Sequence, residues 1–166
     1  NSEILEFKGP LRCFDSEEEA IEAIKKHIYV NGDVIVIRYE GTVGCPGMNE
    51  IFIQQLLLQA QGTWDNVVLI TDGRFSNLAS GFCISHIGPE AALGGPIGLV
   101  KDGNMISITI KEDIILVDFS KEEFEERGRL WKPREPLFLS AAASKYKKLI
   151  SSANKGSETR QGCNLN

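Results

Sequence analysis

Two short apolar runs constrain this chain more than any other feature in it. Residues 34–37 read VIVI and residues 67–70 read VVLI, with no polar side chain interrupting either. A strand with one wet face alternates apolar and polar positions. An unbroken run rich in β-branched residues points instead to a strand covered on both faces. The two stretches, 34–39 and 66–71, are therefore expected to be neighbouring core strands, which brings together the loops that follow them.

The remaining elements are read from caps and periodicity. Asp15 or Ser16 can cap a first helix, and Ser16 with Glu19 fits a capping box. Ala20, Ile21, Ile24 and Ile28 mark its apolar face at helical spacing. A glycine-rich loop, EGTVGCPG, leads into a second helix over 48–60. GFCISHI and PIGLV are short strand candidates. KDGN at 101–104 reads as a hairpin turn between IGLV and MISITI, and DIILVDF continues the sheet. Ser120 can cap a charged helix running past Glu126 and Arg127, WKPREP breaks it, and a last helix passes through SAAASKYKKLI. Sixteen glycines and six prolines in 166 residues favour tight turns over a helical bundle. The reading is a compact α/β domain of mixed strands over residues 1–151, with 152–166 as a loosely held tail.

Charge and composition exclude some classes. The net charge is −5 and no basic stripe is present, which argues against nucleic acid and anionic membrane as partners. The apolar stretches are far shorter than a membrane span requires. Residues 1–10 lack the charged start and apolar middle of a signal peptide, so a cytoplasmic setting is expected. Cys13, Cys45, Cys83 and Cys163 are too scattered for a zinc or iron–sulfur spacing pattern. They read as free thiols, with Cys45 singled out by its place in the glycine-rich loop.

Both apolar runs end in loops able to carry chemistry, EGTVGCPGMNE and TDGRFSNLASG. Their glycines let backbone N–H groups approach an anion, or serve simply as turns. Neither loop matches a phosphate-binding fingerprint. Ser76 can be a turn serine, a helix cap, or a base or nucleophile. In the last role it needs an activator, and a metal ion held by a carboxylate can serve. Glu50, expected on the first turn of the second helix, is one candidate carboxylate, and Asp72 is another. His86 follows an apolar stretch and reads as a structural histidine.

The segments VIRYEGTVGCPGMNE, LITDGRFSN, ISHIGPEAALGGPIGLVKDG and KYKKLISSANKGS occur in order. Together they resemble the C-terminal portion of the dihydroxy-acid and sugar-acid dehydratase family over about residues 9–156. The resemblance implies an α/β, mixed-sheet fold, a β-barrel-like swivelling β/β/α domain packed on a larger N-terminal domain. Full-length members remove water from 2,3-dihydroxy acids to give 2-keto acids. An iron–sulfur cluster acts as Lewis acid on the C3 hydroxyl, and magnesium holds the carboxylate and C2 oxygen. By the same resemblance Ser76 is the base, Glu50 is a metal ligand, and Asn77 and Leu78 stand where substrate-facing glycines are usual. Thr42 and Cys45 replace a common proline and glycine. The cluster cysteines belong to the N-terminal domain, so this chain alone is expected to hold no cluster and to be inactive. The implied partners are that domain, a small dihydroxy-acid or sugar-acid substrate and, at full length, further copies in a homo-oligomer. The ending KYKKLISSANKGS favours dihydroxy-acid dehydratase of branched-chain amino-acid synthesis. A sugar-acid or phosphogluconate dehydratase domain, or a non-catalytic binding or regulatory module, are the alternatives.

Overall fold

A computed structural model describes residues 6–77, 81–109, 114–134 and 140–159. A six-stranded mixed sheet forms its centre, in the order β6-β4-β2-β1-β7-β8. These strands are β1 (Glu6–Phe14), β2 (Val34–Ile37), β4 (Val68–Thr71), β6 (Phe82–Ile84), β7 (Met105–Thr109) and β8 (Ile114–Val117). A two-stranded ladder joins β3 (Glu50–Ile51) to β5 (Arg74–Phe75). Four α-helices are described: α1 (Glu17–Lys25), α2 (Ile53–Ala60), α3 (Lys121–Leu130) and α4 (Ala141–Leu149). None is long and apolar enough to cross a membrane.

The two apolar runs are adjacent parallel strands, with Val34 opposite Val68 and Ile37 opposite Thr71. Every residue of β2 is buried, and its side chains divide by parity. Val34 and Val36 join Leu11, Val68, Ile70, Ile106 and Ile108 on one face. Ile35 and Ile37 join Ala20 and Ile24 of α1 and Leu58 of α2 on the other. Burial of each such side chain contributes about 1.5–3 kcal/mol, which is why this strand tolerates no polar residue on either side. The first face is concave. A cavity of about 380 Å³ touches Leu11, Val36, Ile70, Ile106, Ile115 and Val117, which come from five different strands. The expected barrel-like form is thus a curled mixed sheet with β6 and β8 at its edges among the described residues.

Serine caps define three helices. The hydroxyls of Ser16, Ser120 and Ser140 accept from the amides of Glu19, Glu123 and Ala143. Glu19 reaches back past the cap and accepts from the Asp15 amide at 2.9 Å. The helix ends earlier than its apolar pattern implies. His27 has φ +53°, and Ile28 lies beyond the last turn with 56% of its surface exposed.

Four expectations change. Residues 6–14, not anticipated as a strand, hold the middle of the sheet. Leu11–Phe14 pairs parallel with β2, and Glu6–Pro10 pairs antiparallel with β7. The Gly9–Pro10 pair, ordinarily a turn signal, sits where β1 changes partners. PIGLV is not a strand: Pro96–Gly98 is a 3-10 turn, and Arg38 takes the carbonyls of Ile97 and Val100. KDGN is consequently not the hairpin expected there. Its turn closes on β1 through Gly103 N–H to Leu11 O at 2.9 Å and Leu11 N–H to Asn104 O at 2.8 Å. Finally, the second helix starts at Ile53 rather than near Met48, because Glu50 and Ile51 find backbone partners in β5. At the other end of the chain, Ser151 and Ser152 are buried and Ala153–Lys155 forms a 3-10 turn.

Gly9 permits the crossing of β1 past the 31–33 turn. A Cβ there would lie 2.0 Å from the carbonyl oxygen of Gly32. Gly9→Ala is expected to lower the unfolding free energy by about 1–3 kcal/mol, the usual cost of forced overpacking. Denaturant titration reads this as a lower midpoint at unchanged slope. A midpoint equal to that of the parent would show that β1 does not pass so close to that turn.

Candidate active site

Because β2 and β4 run parallel, their following loops emerge at the same end of the sheet. Asp72, only 1% exposed, fastens them together. One carboxylate oxygen accepts from Glu40 N–H at 3.0 Å. The other accepts from Tyr39 N–H at 3.1 Å and from Ala91 N–H at 2.8 Å. Burial pushes the Asp72 carboxyl above its ordinary value, those three amides pull it back, and Glu90 raises it further. Asp72 was a candidate metal ligand on sequence grounds. Its two oxygens are instead engaged by the backbone of both neighbouring loops.

A second buried carboxylate repeats the device. Glu90 accepts from the amides of Val43 and Gly44, at 3.0 and 2.9 Å. Thr42 holds the same loop from the other side by donating to Ser151 O at 2.8 Å. The packing leaves no space for side chains. A Cβ on Gly41 would lie 2.5 Å from the Glu90 carboxylate, and one on Gly73 would lie 2.8 Å from Glu40. Glu90 was absent from the sequence-derived candidates. Its signal was a single acid in GPEAALGG, with no polar neighbour to keep it in water.

The resulting frame positions the two site candidates. Glu50 lies on β3, opposite Arg74 of β5, and not on a first helical turn as expected. Ile51 and Phe75 pack into the helix-side core and hold the ladder down. Ser76 follows directly: its N–H donates to Ile51 O at 2.9 Å, and the residue is 5% exposed. Arg74 Nε donates to Met48 O at 3.0 Å, tying the two loops once more. Glu50 is exposed and so is Asn77, while Leu78 lies outside the described residues. His86 lines the concave apolar cavity, and its N–H donates to Gly73 O at 2.9 Å.

Beside Asn49 opens a cavity of about 430 Å³, whose wall includes Glu17, Glu18, Glu40, Cys45 and Arg134. Burial raises the Glu40 carboxyl, although the Glu17 amide donates to it at 2.8 Å. Burial likewise raises the Cys45 thiol. No group of three His, Cys, Asp or Glu side chains suited to a metal ion occurs among the described residues. Glu50 offers one hard oxygen donor, compatible with a single place in the shell of a magnesium ion. The thiols do not fit an iron–sulfur cluster. Cys13, Cys45 and Cys83 are free, and among the described residues they join no group of three candidate ligands.

Residues 1–157 match a family described as dihydroxy-acid/6-phosphogluconate dehydratase C-terminal. The dihydroxy-acid dehydratase of Parvibaculum lavamentivorans is 50% identical over 158 residues, which is 95% of this chain and 27% of that protein. The dihydroxy-acid dehydratase of Aquifex aeolicus is 50% identical over 153 residues, 92% of this chain and 28% of that protein. That of Lachnospira eligens is 47% identical over 154 residues, 93% and 28% respectively. The chain thus spans little more than a quarter of the length of these relatives.

Two outcomes are expected. Asp72→Ala orphans three buried amides and should cost about 3 kcal/mol or more, at roughly 1 kcal/mol or above for each. Asp72→Asn, which keeps one acceptor oxygen, should cost less. Equal stability of all three proteins in denaturant would remove Asp72 from this role. The second outcome concerns Cys13, whose thiol burial pushes up to about 12 from an ordinary 9.0. A thiol raised by folding stabilises below its unfolded value, and that contribution is lost as pH rises through its folded value. The unfolding free energy should therefore fall between about pH 9 and 12, and Cys13→Ala should flatten that fall. An unchanged profile in the variant would assign the slope to other groups.

Proposed function

The chain belongs to the dihydroxy-acid/6-phosphogluconate dehydratase C-terminal family, and from that premise we propose that it is the C-terminal domain of a dihydroxy-acid dehydratase. In that reading a full-length enzyme converts a 2,3-dihydroxy acid to a 2-keto acid in branched-chain amino-acid synthesis. The observation that carries it is the β3–β5 ladder, which brings the segments of Glu50 and Ser76 side by side at the mouth of the parallel strands. The relatives named above favour this substrate class over sugar acids or 6-phosphogluconate.

The bound magnesium and iron–sulfur cluster of the full-length enzyme would supply Lewis-acid chemistry at the C2 and C3 oxygens. The cluster ligands would come from a larger N-terminal domain, on which this chain packs as a swivelling β/β/α domain. Glu50 would hold the magnesium through one carboxylate oxygen, and Ser76 Oγ, as the alkoxide, would take the proton from C2 as general base. The backbone bond from Ser76 N–H to Ile51 O holds the Ser76 main chain against the strand that carries Glu50. The buried carboxylates of Asp72 and Glu90 hold the two loops rigid, so little reorganisation accompanies the proton transfer. Asn77 and Leu78 flank the substrate, bulkier than the glycines usual there. The whole enzyme is read as a cytoplasmic homo-oligomer.

The test uses the full-length enzyme and a 2,3-dihydroxy acid. Ser76→Ala should reduce turnover by about 10² to 10⁴, the range for loss of a general base. It should also abolish C2 proton exchange into deuterated water, and added magnesium should not restore it. Glu50→Gln should lower activity in a way that excess magnesium partly restores. Near-normal turnover and exchange in Ser76→Ala would return Ser76 to the role of a turn residue.

A further inference from the structure

We propose that the Asn31–Gly32 bond is a site of spontaneous deamidation, gated by closure of its own turn, and that the turn once modified cannot close again on β1. This is the one Asn–Gly pair in the sequence. Asn31 is exposed, and Gly32 has no Cβ to crowd an attack by its nitrogen on the preceding side chain. The reaction needs only water. The Gly32 nitrogen gives up its proton and bonds to Asn31 Cγ. The Cγ–Nδ2 bond breaks, and the amide nitrogen leaves as ammonia with a proton taken from water. Water then opens the succinimide ring. Opening at Cγ leaves an aspartate. Opening at the main-chain carbonyl leaves an isoaspartate, whose backbone is longer by a methylene.

The folded turn withholds the nucleophile. Gly32 N–H donates to Asn66 O at 2.7 Å, on the segment that enters β4. The nitrogen can surrender its proton to solvent only when that bond opens, as in amide hydrogen exchange. Two further bonds close the turn. Asp33 N–H donates to Val30 O at 3.1 Å, and Val30 N–H donates to Asp33 Oδ2 at 3.0 Å. Gly32 itself takes φ +94°, the left-handed value that a type II turn requires at its third residue.

Two features of the surroundings make the change one-way. β1 passes against the turn so closely that a Cβ on Gly9 would lie 2.0 Å from Gly32 O. A main chain lengthened at that point has no room beneath the strand. The neighbouring Asp33 is fully buried; its Oδ2 pairs with Arg12 Nε at 3.0 Å and its Oδ1 has no partner. Either product adds a carboxylate two residues away from it, and a second negative charge there disfavours the first.

The experiment incubates the intact protein at mildly alkaline pH and follows residue 31 by peptide mapping in a mass spectrometer, with enzymatic methylation to count isoaspartate. A synthetic peptide of residues 27–34 gives the rate of the open chain. The protein should react at least about tenfold more slowly than the peptide, and faster as urea is raised below the unfolding transition. Exchange of the Gly32 amide hydrogen should rise in step. Gly9→Ala, which loosens the crossing, should speed the reaction about fivefold or more, and the urea series carries the same test in the parent chain. Asn31→Gln should remove the reaction. Modified protein, separated by its added charge, should unfold at lower urea than the parent. Deamidation at the peptide's rate, a rate indifferent to urea, or a modified protein with the parental midpoint would each overturn the proposal.

Discussion

The carboxylate of Asp72 is the constraint around which the molecule is arranged. Parallel strands bring loops to a common edge but do not fix them there. Here three backbone amides from two separate segments converge on two oxygen atoms. A buried carboxylate without such donors would be costly, and the same donors without the carboxylate would be orphaned. Each component requires the other. Glu90 applies the same logic one layer further out, to the loop that leads towards Glu50. Gly41 and Gly73 then follow as a consequence, because the acids stand where a Cβ would be.

That arrangement separates framing from exposed chemistry. The best-buried acids of the region face the protein's own backbone, whereas Glu50 lies at the surface. A carboxylate left in water retains its hydration and its lone pairs for a cation arriving with other ligands. The framing acids have given theirs up. Burial likewise raises the three described thiols above their ordinary value.

Much of this was legible in the chain itself. The VIVI and VVLI runs placed the two central parallel strands, because only cover on both faces accounts for such composition. Ser16 and Ser120 marked helix starts, since a capping hydroxyl acts within three residues and needs no tertiary partner. Non-local pairing was not legible. Glu50 and Ile51 read as helix until β5 offered them a ladder. PIGLV had strand composition, but Arg38, distant in sequence, captured its carbonyls. β1 was hidden by Gly9 and Pro10, whose local preference is to turn. The candidate site followed the same rule: Ser76 and Glu50 stood out by motif, while Glu90 gains its meaning only from amides more than forty residues away.

The divided pairing of β1 bears on how the chain acquires its structure. One half of this strand finds its partner in β2, soon after it in the chain, and the other half in β7, beyond five intervening strands and two α-helices. Loop closure over so long a segment carries an entropic cost that a nearby pairing avoids. During synthesis from the N-terminus, the first strand emerges with one half of its edge lacking a partner until β7 follows. The parallel half-sheet with α1 can consolidate early, whereas the β7–β8 hairpin must find that waiting edge. Sealing of the sheet is thereby a late event, set by the arrival of residues 105–109.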